Sequence, residues 1–309
     1  MANITFLGGI QMIWRAGKHE IDLTSHSIVM GIANVTVDSF SDGGKFLAPD
    51  AAVAHALEMA AQGAAIIDIG GESTRPGAEP VSVEMEMERV LPVIERMKDE
   101  GRWMKGDGAK IHPSSFILHP FPLLSIDTSK AAVARAAVAC GASIVNDVTG
   151  LRGDPEMMNV VRETGAGVVI MHMQGSPRDM QRAPHYSDVV AEVREFFRHA
   201  FVRAVECGID PMNIAFDPGI GFGKSVAHNL LLLKNIESLR VENRPLVVGA
   251  SRKSFIAKIT GSEKMEDRFA PTVALTCLAR ERGANVLRVH DVLANVHALQ
   301  MTERILEAT

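Results

Sequence analysis

Apolar runs rich in valine and isoleucine alternate with segments of helical period along this chain, and the alternation occurs eight times. The apolar runs fall at residues 28–33, 65–70, 123–127, 143–147, 166–172, 212–217, 245–250 and 285–290. Ala-, Leu- and Glu-rich segments follow them at 50–62, 82–99, 129–140, 154–164, 187–207, 227–239, 266–282 and 291–307. Most of these place apolar residues at i, i+3, i+4 and i+7, the signature of one buried helix face. Strands apolar on both faces belong to a parallel sheet covered by helices. Eight strand–helix units predict a (β/α)8 TIM barrel, one domain over residues 1–309. An open doubly wound sheet would split the chain around a Gly-rich first turn, and the pattern has no such split. Residues 1–27 precede the first unit and predict a short N-terminal hairpin, over 11–24.

Local chemistry marks several helix ends. Ser82 is placed to cap a helix, with Glu84 and Glu86 in its first turn. Asp154-Pro155 reads as a cap followed by proline. Gly101, Gly141, Gly165, Gly208 and Gly283 read as helix terminators. One connection is long: residues 101–122 form an insert before the third barrel strand, where a few residues suffice. Such a connection lies on the N-terminal face, so its His112 and His119 are expected to be structural rather than metal ligands.

The segment DPGIGFGKS, Asp217 to Ser225, punctuates the pattern most strongly. Its glycines, Gly219, Gly221 and Gly223, permit positive φ and close approach to a ligand. It is not a phosphate-binding P-loop, because Pro218 stands where the first glycine is needed. With 309 residues, 47% of them hydrophobic and 22% charged, the chain can bury a large core. A net charge of −5 gives no basic surface for nucleic acid, and no apolar run reaches membrane-spanning length. Cys140, Cys207 and Cys277 lack C-x-x-C spacing, and the N-terminus has no cationic signal-peptide head. A cytoplasmic protein with reduced thiols is expected.

In a barrel the C-terminal strand ends share one mouth. Here they supply Asn34, the loop from Gly70 to Pro76, Asp127, Asn146, His172, Asp217, Lys253, and Arg288 with His290. Acceptors (Asp127, Asn146, Asp217) beside basic groups (Lys253, Arg288, His290) suit a donor-rich heterocycle joined to an anion. Taken singly, Asp127 or Asn146 could cap a helix, Asp42 could close a turn, and His172 between Met171 and Met173 reads as a packed core histidine. Neither H-x-H nor H-E-x-x-H occurs, which argues against a zinc hydrolase.

The segments GIANVTVDSFSDGGKF, DIGGESTRPGA, SIDTSK, ASIVNDVTGL, VVIMHMQGSP, DPGIGFGK, VGASRKSFI and RVHDV resemble, in order, those of the dihydropteroate synthase family. The resemblance implies a (β/α)8 barrel that joins 6-hydroxymethyl-7,8-dihydropterin pyrophosphate to p-aminobenzoate, with Mg²⁺ as cofactor, as a homodimer. It implies that Asp127, Asn146 and Asp217 read the pterin's donor edge, with Lys253 on its acceptor side and Met171, Phe222 and Gly249 as walls. Asp127, Lys253 and Arg288 would be catalytic. Asn34, Thr74, Arg75, Arg288 and His290 would hold the pyrophosphate, with Asn34 on the metal. Phe40, Thr74, Arg75, Pro76, Lys253 and Ser254 would form the p-aminobenzoate site. The family's N-V-T-P-D-S-F reads N-V-T-V-D-S-F here, and Val37 leaves that loop freer than proline would. Weaker p-aminobenzoate binding than in a Val37→Pro variant is expected. A pterin-dependent methyltransferase, or an inactive pterin-binding homologue, is the alternative. The former needs neither the S-T-R-P-G loop nor an anion site, and the latter would be expected to lose Asp127, Lys253 or Arg288.

Overall fold

The computed structural model describes residues 11–35, 48–73, 79–106, 121–175 and 180–308. The N-terminal hairpin pairs β1 (Ile13–Ala16) with β2 (His19–Asp22) antiparallel. Eight parallel strands follow: β3 (Ile28–Asn34), β4 (Ile66–Gly70), β5 (Leu123–Asp127), β6 (Ile144–Asp147), β7 (Gly167–Met171), β8 (Ile214–Asp217), β9 (Val247–Val248) and β10 (Val286–Val289). They stand in the order β8-β7-β6-β5-β4-β3-β10-β9. A parallel bridge between Phe216 and Leu246, with the Phe216 N–H on Pro245 O at 2.9 Å, brings β8 to the segment preceding β9. The ring is thus a nearly closed barrel, as the periodicity predicts.

The helices are α1 (Ala48–Ala61), α2 (Val83–Gly106), α3 (Ala131–Cys140), α4 (Met157–Thr164), α5 (Val189–Glu206), α6 (Val226–Lys234), α7 (Ser254–Thr260), α8 (Phe269–Glu281) and α9 (Val292–Glu307). Alternate residues of each strand go to different cores. Ile67 and Ile69 of β4 join the large cluster under the helices, whereas Ile66 faces the interior of the barrel. The interior cluster, with Met30, Ile66, Leu123, Ile144, Val169, Ala215, Val247 and Val286, also takes in Trp14, Ile21 and Leu23 of the hairpin. The hairpin therefore plugs the N-terminal end, and Trp14 Nε1 is anchored on Asn213 O at 2.9 Å.

Three expectations need correction. Gly101 does not end α2, which runs on to Gly106; a Cβ at 101 would stand 2.8 Å from the Phe121 ring, so packing rather than termination selects glycine. The insert begins correspondingly later, and residues 107–120, with His112 and His119, lie outside the described residues. Residues 254–260 form α7, absent from the periodic reading because its buried Phe255, Ile256 and Ala257 are consecutive and too few to show a period. The predicted 227–239 helix is α6 followed by a 3-10 turn over Ile236–Leu239. Gly141, Gly165, Gly208 and Gly283 do end helices, with φ of 136°, 65°, 95° and 90°. Ser82 Oγ accepts from Met85 N at 3.2 Å, as a cap should. Asp154 contributes twice, to Glu156 N at 3.0 Å in its own turn and to Ala131 N at 2.9 Å at the start of α3.

Candidate functional site

The strand registers set Asn34, Gly70, Asp127 and Asn146 level across β3 to β6. Because Gly70 has no side chain, Asn34 Oδ1 and Asp127 Oδ2 approach to 3.8 and 3.7 Å of where its Cβ would stand. Gly249 opens the opposite side, with Asp217 Oδ2 at 3.7 Å and the Arg288 side chain at 3.8 Å from its Cβ position. Neither Asp127 nor Asn146 caps a helix. Arg288 Nη2 donates to Asp127 Oδ2 at 2.7 Å, and Asn146 Nδ2 donates to Asp68 Oδ2 at 3.0 Å.

Asp68 was not among the residues singled out in the sequence. It lies on β4 one inward position below Gly70, is 1% exposed, and also receives Ser125 Oγ at 2.6 Å and Arg288 Nε at 2.6 Å. Its signal was a carboxylate inside the apolar run IIDIG. Two carboxylates thus share one guanidinium, whose charged form is favoured beyond the ordinary arginine range by Asp68 and Asp127 despite burial. Burial pushes the Asp127 carboxyl up to about 7, although Arg288 pulls the other way. Burial also raises Asp217, against the hydrogen bond that its Oδ1 accepts from Gly219 N at 2.7 Å.

Lys253 precedes α7. Its Nζ donates to Ile220 O at 2.7 Å and lies 4.0 Å from the centre of the Phe222 ring. Burial lowers it to about 7, with Asp217 opposing the change. Ser254 is exposed at the first position of α7, next to Lys253. Arg252, just before, has φ 55° and forks onto Asp291 through both Nε and Nη2. His290 Nδ1 lies 3.0 Å from Ser251 Oγ. Met171 packs with Val148, Met173, Met180 and the partly buried Phe222, an apolar wall at the mouth.

The Gly loop has the predicted positive φ at Gly219, Gly221 and Gly223, and it packs closely against the chain itself. A Cβ at Gly219 would stand 2.0 Å from His172 O, and one at Gly223 would stand 2.4 Å from Gln174 O. Gly221 admits the Lys253 side chain, with Cδ at 3.0 Å from its Cβ position. Lys224, another residue not foreseen, is buried and fastens the two loops. Its Nζ meets His172 Nδ1 at 2.9 Å, Phe222 O at 2.9 Å and His172 O at 3.3 Å. His172 is lowered to about 2 by burial, so it is a neutral packed histidine whose Nδ1 accepts, as the sequence suggested.

Phe40, Thr74, Arg75 and Pro76, with Val37 and Asp42, lie outside the described residues. The base of the 74–78 segment is described. Glu72 Oε1 accepts from Val81 N at 3.0 Å across it, and Lys130 Nζ holds Glu72 at 2.6 Å and Glu86 at 2.5 Å. No group of three or more His, Cys, Asp or Glu able to hold a metal occurs among the described residues.

Acceptors, a half-buried lysine, a clamped arginine and an apolar wall at the C-terminal mouth of a barrel have the character of an enzyme site suited to a flat polar heterocycle beside an anion. The "Pterin binding enzyme" family pattern matches residues 30–107 and 118–290. Dihydropteroate synthase from Escherichia coli (strain K12) is 42% identical over 285 residues, covering 92% of this chain and 93% of that protein. A solved structure of Xanthomonas albilineans dihydropteroate synthase with 4-aminobenzoic acid superposes with TM-score 0.85 at 43% identity, covering 97% of this chain and 100% of that one. Another from the same organism, in complex with 7,8-dihydropteroate, gives TM-score 0.82 at 41% identity, covering 96% and 100%. This chain belongs to the pterin binding enzymes, and within them to the dihydropteroate synthases.

Proposed function

We infer that this chain condenses 6-hydroxymethyl-7,8-dihydropterin pyrophosphate with p-aminobenzoate, giving 7,8-dihydropteroate and pyrophosphate in folate biosynthesis. The observation that carries the reading is the convergence of Asp127, Asn146 and Asp217 with Lys253 and Arg288 on one mouth. The ligands named for the related enzymes, 4-aminobenzoic acid and 7,8-dihydropteroate, support it.

Asp127, Asn146 and Asp217 take the pterin's amino and ring N–H donors, while Lys253 donates to its opposite edge. A mismatched group buried there costs about 1–3 kcal/mol, which is how such a site rejects other rings. Met171, Phe222 and Gly249 form the walls. Arg288 and His290, with Asn34, Thr74 and Arg75, hold the pyrophosphate. The methylene C–O bond breaks with its electron pair going to pyrophosphate, and the resulting cation is delocalised into the pterin beside Asp127. The amine of p-aminobenzoate, seated by Phe40, Thr74, Arg75, Pro76, Lys253 and Ser254, then forms the C–N bond and releases its proton. No protein nucleophile is required.

The residues present fit Mg²⁺. Asn34 Oδ1 is a hard oxygen donor that, like Asp127 Oδ2, flanks the open position above Gly70, and Mg²⁺ takes few protein ligands when phosphate oxygens supply the rest. When bound, the ion supplies positive charge to the leaving pyrophosphate.

We further propose a homodimer, supported by the exposed apolar side chains Leu278 on α8 and Leu293, Met301 and Ile305 on α9. A cytoplasmic location is supported by the free cysteines Cys140, Cys207 and Cys277. Incubation with both substrates and Mg²⁺ tests the activity: dihydropteroate should accumulate, and its absence from folded protein would overturn the reading.

A further inference from the structure

Asp68 accepts from three different strands at once. Ser125 Oγ reaches its Oδ1 at 2.6 Å, and Asn146 Nδ2 and Arg288 Nε reach its Oδ2 at 3.0 and 2.6 Å. Asp68 and Ser125 face each other in register on β4 and β5, two residues below Gly70 and Asp127. Arg288 starts lower still, in register with Met30, and its side chain climbs to both Asp68 and Asp127. Nothing in the reaction places Asp68 against a substrate atom, because it lies beneath the residues that do.

Its consequence is directional. An amide oxygen facing a carboxylate oxygen would be repelled, so a carboxylate at this position selects the rotamer of Asn146 that turns Nδ2 inward. Asn146 Oδ1 is then left on the side away from Asp68, as an acceptor. Likewise, the guanidinium is planar, so fixing Nε on Asp68 and Nη2 on Asp127 fixes the whole fork. Without Asp68 the amide could present either end and the fork could turn about a single contact.

We propose that Asp68 is a positioning residue for substrate recognition: it makes Asn146 an acceptor for the pterin and holds Arg288 in register for the anion. The proposal deepens the synthase reading and rests on it for the identity of the ligands. Asp68 is not a catalytic residue, since it acts only through Asn146 and Arg288.

The test is a double-mutant cycle read by direct binding. The probes are 6-hydroxymethyl-7,8-dihydropterin, which has no phosphate, and inorganic pyrophosphate. The variants are Asp68→Leu, Asp68→Asn, Asn146→Ala and the double variant that combines Asp68→Leu with Asn146→Ala, each checked for a cooperative melt. Asp68→Leu should weaken the pterin at least tenfold. The same replacement in the Asn146→Ala background should weaken it less than threefold, because the group through which Asp68 acts is gone. Pyrophosphate should weaken in both backgrounds. Asp68→Asn, which keeps an acceptor for Asn146 and Arg288, should fall between wild type and Asp68→Leu, and it carries the test alone if the leucine variant does not fold. Additive losses in the cycle, or wild-type affinity for both probes in Asp68→Asn and Asp68→Leu, would overturn the proposal. If only Asp68→Asn folds, wild-type affinity for both probes in that variant would overturn it. Turnover is not among the readouts, so wild-type protein that binds both probes without forming dihydropteroate would contradict the synthase reading alone. Wild-type protein that binds neither would overturn both.

Discussion

Arg288 Nη2 donates to Asp127 Oδ2 at 2.7 Å, so a group assigned to the anion and a group assigned to the pterin are bonded to each other. The same guanidinium satisfies Asp68 at 2.6 Å. In the proposed reaction Arg288 therefore has two duties, to neutralise the carboxylates of Asp68 and Asp127 and to face the leaving group. Replacing it by methionine leaves both carboxylates without their cation, and breaking such a buried pair costs about 3–5 kcal/mol. Arg288→Met should lower the unfolding free energy obtained from urea titration by that order and reduce kcat/KM at least a hundredfold. Arg288→Lys should recover stability better than activity, because a lysine cannot reproduce the fork. Equal recovery of both would contradict the dual role.

The acidity of the mouth sets a narrow pH range. Burial pushes Asp127 up to about 7, so below that it carries a proton and ceases to be a pure acceptor. Burial lowers Lys253 to about 7, so above that it loses its charge. In the free enzyme kcat/KM for the pterin pyrophosphate should trace a bell near neutrality. An arginine at 253 stays charged, so Lys253→Arg should remove the alkaline limb while lowering the maximum. An unchanged alkaline limb in that variant would show that another group sets it.

Gly219 and Gly261 have similar backbone angles, φ 63° and 73°, but different surroundings. A Cβ at 219 would meet His172 O at 2.0 Å, whereas one at 261 meets nothing within 4 Å. Gly261→Ala should cost about 1 kcal/mol, the strain of a left-handed alanine. Gly219→Ala must displace the loop that carries Asp217, so it should also weaken pterin binding at least tenfold. Calorimetric titration of the two variants separates strain from displacement.

Trp14 ties the hairpin to the base of the barrel through Asn213 O, at 2.9 Å. Trp14→Ala should cost about 3–5 kcal/mol of stability. Since the plug is at the end away from the mouth, KM for both substrates should change less than twofold at a temperature where the variant is folded.

The sequence made the barrel legible because each strand is an apolar run and each α segment a helical period. The mouth was legible because Asn34, Asp127, Asn146 and Asp217 fall at strand ends, which any barrel gathers into a ring. Asp68 escaped because it lies mid-strand, where only three-dimensional neighbours on β5, β6 and β10 reveal its partners. Lys224 escaped because its neighbours invited comparison with a phosphate loop, while two of its three partner atoms lie 52 residues earlier, on His172. The glycines of that loop were read correctly for conformation, and the structure adds a reason the sequence could not show: backbone crowding at His172 and Gln174 requires Gly219 and Gly223.

The central claim is that this mouth transfers the pterin methylene from pyrophosphate to an arylamine. The most direct measurement is pyrophosphate release from the pterin pyrophosphate with Mg²⁺, with and without p-aminobenzoate, alongside dihydropteroate formed. Release strongly raised by p-aminobenzoate, with dihydropteroate in equal amount, is the predicted result. Pterin binding with no pyrophosphate release under either condition would contradict it.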